Sequence, residues 1–503
     1  MINDSHIKLS SLHHDLDGRI SSIKEQFALL APFRDVVESA LSDKKSYYGI
    51  NTGFGILATK RIELDSLLKL QKNLILSHSV GVGPLIPKEI SRLMLQLKIH
   101  ALGLGHSGIS QTTLERLCTL LEKDLIPAIP EKGSVGASGD LAPLAHMALP
   151  LIGEGLFWTS DGNQTIEASK ILQKHKLSPI TLQAKEGLAL LNGTQFMTAY
   201  GSHVLSQVSS LLKMCDIIGT MSLEAARGSK NPFLAKIQEL RPHPGQAHSA
   251  ANIMKLLQES DILESHKDCD KVQDPYSLRC MAVVHGASRG ALKHASEVIE
   301  TEINSVTDNP LVFEDGDIIS AGNFHGQPIA LAMDYAAIAL AELASISERR
   351  TYLLLSGYDE LPSLLLEDGG LHSGFMIPQY TQASLVSENK VLAHPASVDS
   401  IPTSCGQEDH VSMGSISATK LLQIFNNVRH VLGIELLCAA QALDFRKPLT
   451  PGKGVHAAYH VVRSAIPHRN QDETFQEDFK KVFSFLSSDE IIRAVEAEIG
   501  ELV

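Results

Sequence analysis

Residues 133–142 read Gly-Ser-Val-Gly-Ala-Ser-Gly-Asp-Leu-Ala. Glycines at 133, 136 and 139 open backbone conformations closed to other residues, and a serine with a free hydroxyl sits among them. Asp140 can cap a helix that continues through Leu144 and Met147, and Pro143 falls in its first turn, where a missing N–H costs little. The positive end of that helix then points at the loop. Read alone, the segment is a capped turn or an anion site as readily as a reactive loop. The glycines do not stand in a nucleotide-binding arrangement.

Other residue types suited to chemistry are scattered along the chain. Tyr48 opens Tyr-Gly-Ile-Asn-Thr-Gly-Phe-Gly, His78 lies in Leu-Ser-His-Ser-Val-Gly, and Asn192 opens Asn-Gly-Thr-Gln. Gln273, Tyr276 and Arg279 come from Gln-Asp-Pro-Tyr-Ser-Leu-Arg-Cys; on a helix, Tyr276 and Arg279 share a face. A guanidinium binds both oxygens of a carboxylate at once. Phe324 lies in Gly-Asn-Phe-His, and Glu408 lies in Gln-Glu-Asp-His-Val-Ser-Met, where a carboxylate can take a proton or hold a cationic ring. Taken singly, each has an ordinary alternative: a buried Tyr, an Asn-Gly turn, a solvated Arg, a core Phe or His, or a polar surface run.

The elements that must position these residues read as helices. Apolar residues recur at threes and fours from Leu421 through Leu432, in a run that stops before Pro448. Leu292 to Val306 repeats the pattern up to Asp308-Asn309-Pro310, and a third long helix is predicted from about Ile329 to Leu355. Strand signals are confined to a hairpin around Asp161-Gly162-Asn163 and another within Glu314–Ile319. Glycine-rich, small-residue loops fall at Tyr48–Gly55, Gly81–Pro84, Gly133–Asp140, Ser320–Gly326 and Thr403–Gly406, as in a site built from loops on a rigid scaffold. The expected fold is mainly α. Residues 1–200 form a smaller, loop-rich N-terminal region, and residues 201–503 form a central bundle of long helices with a C-terminal region.

Composition narrows the function. The 503 residues are 44% hydrophobic and 20% charged, ordinary for a globular chain, and the formal net charge of -13 argues against nucleic acid or an anionic membrane as partner. The first twenty residues mix Asp4, His6, Lys8, His13, His14 and Asp15 with apolar residues and lack the core of a signal peptide. The charge-free stretch Gly187–Leu212 carries Asn192, Thr194, Gln195, His203 and Gln207, a polar load unsuited to a membrane span. Six cysteines lie far apart with no zinc spacing, which suggests reduced thiols and a cytoplasmic setting.

Ala137-Ser138-Gly139-Asp140, within its flanking residues, resembles the signature of the aromatic amino acid ammonia-lyases, and the other motifs extend the resemblance over nearly the whole chain. In that family the tripeptide cyclises to 4-methylidene-imidazol-5-one as the glycine nitrogen attacks the alanine carbonyl and two waters leave. The resemblance implies that Ala137, Ser138 and Gly139 form this electrophile, with no external cofactor and no metal. An electrophile suits the chemistry, because the β-proton of an amino acid is not acidic, the amine leaves poorly, and ordinary side chains are nucleophiles. It further implies catalytic roles for Tyr48, Tyr276 and Glu408, and substrate contacts from His78, Asn192, Gln273, Arg279 and Phe324. Ser77-His78 and Glu408 resemble the members acting on histidine, whereas the tyrosine and phenylalanine enzymes usually differ at these places. Gly406 and Gln327 depart from the usual forms of the histidine members. A homotetramer whose sites combine loops from more than one subunit is implied as well.

The competing readings are a tyrosine or phenylalanine lyase, an aminomutase, a serine hydrolase, a metal enzyme and a non-catalytic helical scaffold. Gly286-Ala287-Ser288-Arg289-Gly290 matches a nucleophile elbow after the apolar run Met281–Val284, but that needs a multi-stranded sheet this chain does not suggest. His456 and His460 stand four apart without the glutamate of a zinc-protease helix.

Overall fold

The computed structural model describes residues 6–43, 45–59 and 61–503. Residues 1–5, Asp4 among them, lie outside the described residues. The expected helical architecture is present. The three long helices run over Met281–Ile303, Gln327–Leu355 and Gly414–Asp444. Their apolar stripes explain them: Leu292, Ala295 and Ile299 are buried on the first, Ile424, Val428 and Val431 on the third. Gln327–Leu355 stops at Gly357, whose φ of 78° is the left-handed conformation that ends helices. By length and composition this helix could cross a membrane, yet 67% of its most apolar window is buried within the protein, as in a core helix.

The chain divides into two compact units. The first comprises Met1–Ser206, Ala295–Asp334 and Pro395–Thr419; the second comprises Gln207–His294, Tyr335–His394 and Lys420–Val503. The units are therefore discontinuous in sequence, and three of their five boundaries fall inside the three long helices, whereas the reading from sequence followed chain order with a single boundary at 200/201. All five glycine-rich loops belong to the first unit.

Within the first unit, the helix Lys88–Gly103 packs against Leu12–Glu25 and Gln195–Leu205. It is buried on every face from Leu93 to Gly103, so Gln96, Lys98 and His100 are enclosed with the apolar residues. The expected hairpins form as Leu156–Trp158 with Thr165–Glu167 and Leu311–Val312 with Ile318–Ile319. A third pair, Val82–Leu85 with Pro130–Lys132, joins segments too distant in sequence for a hairpin signal.

The second unit is tied by buried charge. Arg350 donates to both oxygens of Glu435, at 2.6 and 2.9 Å, and Ser222 donates to the same carboxylate. Nearby, Asp216 accepts from Arg289 and Asn252 and pairs with His285. Enclosed charges of this kind survive because each is matched and hydrogen-bonded.

His100 is the opposite case. It is 1% exposed, and neither ring nitrogen has a hydrogen-bond partner. Burial, helped by the Arg19 charge, pushes its pKa from the usual 6.5 down to about 3. The folded state then binds fewer protons than the unfolded state between those values, so its contribution is complete above pH 6.5 and is lost as pH falls toward 3. Between pH 8 and pH 5, wild type should lose about 2 kcal/mol more stability than His100→Leu. Denaturant titrations of both proteins at the two pH values check this; equal losses would refute it.

Candidate active site

The loop at 133–140 is braced from two directions within the first unit. Gly139 has a φ of 72°, and a Cβ placed on it would stand 2.1 Å from the Gly193 carbonyl oxygen, so only glycine fits. Gly139 and Gly193 form a parallel bridge, and the Asp140 N–H donates to Gly193 O at 2.7 Å. Asn192 Nδ2 donates to Ser138 O at 3.2 Å, while Asn192 Oδ1 is buried without a partner. From the other side, the Met413 N–H donates to Val135 O at 2.9 Å and Ser415 Oγ donates to Ser134 O at 2.6 Å. Ala137 is buried against Val411 and Met413.

Asp140 corrects one expectation. Its side chain makes no cap to the helix Leu141–Ala148 that follows it. Instead the carboxylate accepts the Met197 N–H at 3.0 Å, in the first turn of the helix Gln195–Leu205, together with a bond from Ser134. Complete burial raises its pKa to about 7 against the opposing pull of those donors. The physical reason is the Gly139–Gly193 bridge, which turns the Asp140 side chain toward the second helix.

The Ser138 hydroxyl donates to Glu408 Oε1 at 3.0 Å. The other carboxylate oxygen accepts from Thr403 Oγ1 at 2.7 Å, across a bridge between Thr403 and Glu408. The turn between them places Ser404 and Cys405 at φ 51° and 53° and Gly406 at 87°, conformations disfavoured for the first two. Strain at such positions is held by the surrounding contacts and is common at functional sites.

Tyr48 and His78 share this neighbourhood. The Gly55 N–H donates to Tyr48 OH at 3.4 Å, and the ring meets Phe54 edge-on at 6.3 Å. Burial raises the phenol pKa, the Gly55 bond lowers it, and the Glu408 charge raises it further. His78 Nδ1 lies 2.8 Å from Leu74 O and 3.0 Å from Ser77 Oγ. Donation to the carbonyl assigns the proton to Nδ1 and leaves Nε2 an acceptor. Burial lowers the His78 pKa, while Leu74 O and Glu408 oppose it. One carboxylate thus acts on both rings and holds the serine.

The structure brings together Tyr48, His78, Ser138, Asn192 and Glu408. Phe324 is half-buried in a turn of the same unit, beside His325, which stacks on His410. Gln327 donates to Ser397 O at 3.2 Å and, like Gly406, lies in the first unit. Gln273, Tyr276 and Arg279 belong to the second unit. There Tyr276–Arg279 forms a short helix, the guanidinium carbon lies 4.7 Å over the Tyr276 ring, and Arg279 Nε donates to Asp274 O at 3.1 Å. Gln273 and Arg279 line a cavity of about 390 Å³, and Tyr276 is 71% exposed.

Sequence reasoning did not single out Lys98, and it gave no role to Thr403 or Gly193, which it met only within a glycine-rich loop and the Asn-Gly-Thr-Gln motif. Lys98 was signalled by its place in Leu-Met-Leu-Gln-Leu-Lys-Ile, the one charge in a mostly apolar run. The hydrolase reading fails on geometry. Met281–Val284 is helical rather than a strand, and Ser288 Oγ donates to Ala339 O at 2.9 Å within a helix packing. His456 and His460 approach at 2.9 Å between their Nε2 atoms, and no third ligating side chain joins them among the described residues.

These geometries coincide with marked similarity to known proteins. Residues 13–464 match the family described as aromatic amino acid lyase. The histidine ammonia-lyase of Sorangium cellulosum is 52% identical over 476 residues, covering 93% of this chain and 92% of that protein. That of Gloeobacter violaceus is 50% identical over 472 residues, covering 93% and 91%. Among solved structures, histidine ammonia-lyase from Trypanosoma cruzi superposes with a TM-score of 0.87 at 40% identity, covering 94% of this chain and 89% of that one. Tyrosine aminomutase from Streptomyces globisporus gives 0.89 at 35% identity, covering 100% and 99%.

Proposed function

Because the chain belongs to the aromatic amino acid lyase family, we propose that it eliminates ammonia from L-histidine to give trans-urocanate, the opening step of histidine breakdown. The observation that carries the substrate choice is Glu408, which holds Ser138 while acting electrostatically on His78 and Tyr48.

Ala137, Ser138 and Gly139 fit the prosthetic group of this family: Ala137 and Gly139 are buried and Ser138 half-buried, a side chain at 139 is excluded, and the Ser138 carbonyl already has a side-chain donor. Once formed from these residues, 4-methylidene-imidazol-5-one supplies the electrophile that side chains lack. Asn192 holds the Ser138 carbonyl oxygen. By resemblance to the family, Arg279 serves the substrate carboxylate with Gln273 and Tyr276, and Phe324 serves as packing for the reacting centre. His78 offers Nε2 as acceptor to the imidazole N–H, and Glu408 receives a cationic nitrogen. Tyr48 removes the β-proton. Its raised pKa opposes this in the free protein, but a cation paired with Glu408 cancels the negative charge that adds to the shift. Substrate binding therefore helps Tyr48 ionise.

We read the assembly as a homotetramer with sites built from more than one subunit. Supporting this, the helix Gln327–Leu355 exposes Leu331, Tyr335, Ile338 and Tyr352 on one stripe, at 52%, 49%, 47% and 55%. With Glu342, Ser345 and Arg349 between them, the spacing alternates four and three, the seam of a helix that packs on another. All six cysteines are unpaired, which supports a cytoplasmic location. Near-ultraviolet absorbance with L-histidine, L-tyrosine and L-phenylalanine tests the reaction. Urocanate from histidine alone is expected. Coumarate or cinnamate would overturn the substrate, and a β-amino acid would make the enzyme an aminomutase.

A further inference from the structure

The helix Lys88–Gly103 carries a lysine that none of the roles above uses. Lys98 is 1% exposed. Its ammonium donates to Asn192 O at 2.6 Å and reaches Gln195 Oε1 at 3.4 Å. The charged groups facing it are Asp308, Lys185 and Asp140. Asp308 is already paired with Lys185 at 2.7 Å, and Asp140 is engaged with Met197 and Ser134. Lys98 therefore spends its charge on a peptide carbonyl. Burial pushes its pKa down to about 7, with the Asp308 and Asp140 carboxylates opposing that fall. Enclosing a lysine at this cost calls for a reason beyond one carbonyl bond.

The carbonyl belongs to the peptide that links Asn192 to Gly193, and the far end of that peptide meets the loop. Gly193 bridges Gly139, and a Cβ on Gly139 would lie 2.9 Å from Gly193 N. A cation on a peptide oxygen withdraws charge from the amide and makes its N–H a stronger donor. Asn192 also supplies the side-chain donor to Ser138 O.

We propose that Lys98 is a positioning residue for maturation of the Ala137-Ser138-Gly139 loop, acting through the Asn192–Gly193 peptide to polarise and hold the backbone that must close. The inference rests on the reading that this loop matures. In the closure, Gly139 N bonds to the Ala137 carbonyl carbon, and that carbon's oxygen leaves as water with the Gly139 and Ser138 amide protons, which leaves a double bond from that carbon to Ser138 N. The Ser138 Cα proton and hydroxyl leave as the second water. No electrons are gained or lost overall. The second loss builds negative charge on Ser138 O as the Cα proton departs, and donors fixed there lower its energy.

The test is intact mass of freshly expressed full-length protein, followed over time for wild type, Lys98→Arg, Lys98→Gln and Lys98→Met. Circular dichroism confirms the fold of each. Wild type is expected to lose two waters. Lys98→Gln keeps a neutral donor, so it separates charge from mere carbonyl satisfaction and stands in if Lys98→Met does not fold. Loss of the second water about tenfold slower or more in the Gln and Met variants, with Lys98→Arg restoring much of the rate, supports the proposal. Loss as fast and complete in Lys98→Gln as in wild type overturns it while leaving the loop chemistry intact. A wild-type mass without either loss overturns both.

Discussion

Ser138→Ala is expected to lower turnover of L-histidine by about a thousandfold or more while leaving the fold intact. The variant removes the only atom whose departure can create a methylidene from this tripeptide. What remains is a site able to bind an amino acid but not to draw electrons from its amine or ring. The structural cost is small. Ser138 is half-buried, and its hydroxyl makes one hydrogen bond, to Glu408, worth about 1 kcal/mol. The Gly139–Gly193 bridge and the Asp140 and Asn192 bonds use backbone groups at the loop and survive. Steady-state kinetics with thermal melting separates the effects. Residual turnover within tenfold of wild type would remove Ser138 from the chemistry, and collapse of the melting transition would show that the hydroxyl is structural.

Glu408→Gln should cost about two to four powers of ten in kcat/KM for histidine. The amide keeps the size of the side chain and can still accept from Thr403, so the turn at 403–408 should persist. It cannot take a proton at neutral pH or pair with a cation. A second readout follows from sign. The carboxylate raises the pKa of both Tyr48 and His78, so its removal should lower both. If Tyr48 ionises in the rate-determining step, the alkaline rise in kcat/KM moves to lower pH in the variant. An unshifted profile with a large loss of rate would leave Glu408 as the proton acceptor and Tyr48 as packing. A loss below tenfold would deny Glu408 either role.

The legible part of this protein was whatever a local period or a dense motif could encode. The helix Gln327–Leu355 was predicted within two residues at its start, because a long run rich in Ala and Leu is a local fact. The helix Gly414–Asp444 was found from its middle, but its first turn lies among polar residues with little periodicity. Tyr48, His78, Ser138, Asn192 and Glu408 were named from motifs, and their convergence follows from pairings between distant segments. The same distance hid the rest. Asp140 caps a helix that begins 55 residues later, and Lys98 reaches a carbonyl 94 residues away. A period of 3.6 identifies the buried face of Lys88–Gly103 but says nothing about what a buried cation would touch.

Ser138 and Glu408 are 270 positions apart. During synthesis, at roughly 5–20 residues per second, the serine therefore leaves the ribosome tens of seconds before its carboxylate partner exists. Met413 and Ser415, which brace the same loop, arrive later still. A chain that ends before residue 408 carries the Asn192 and Gly193 partners of the loop but not Glu408, Met413 or Ser415. The order of translation thus leaves this side of the loop's bracing incomplete until more than four-fifths of the polypeptide has been made.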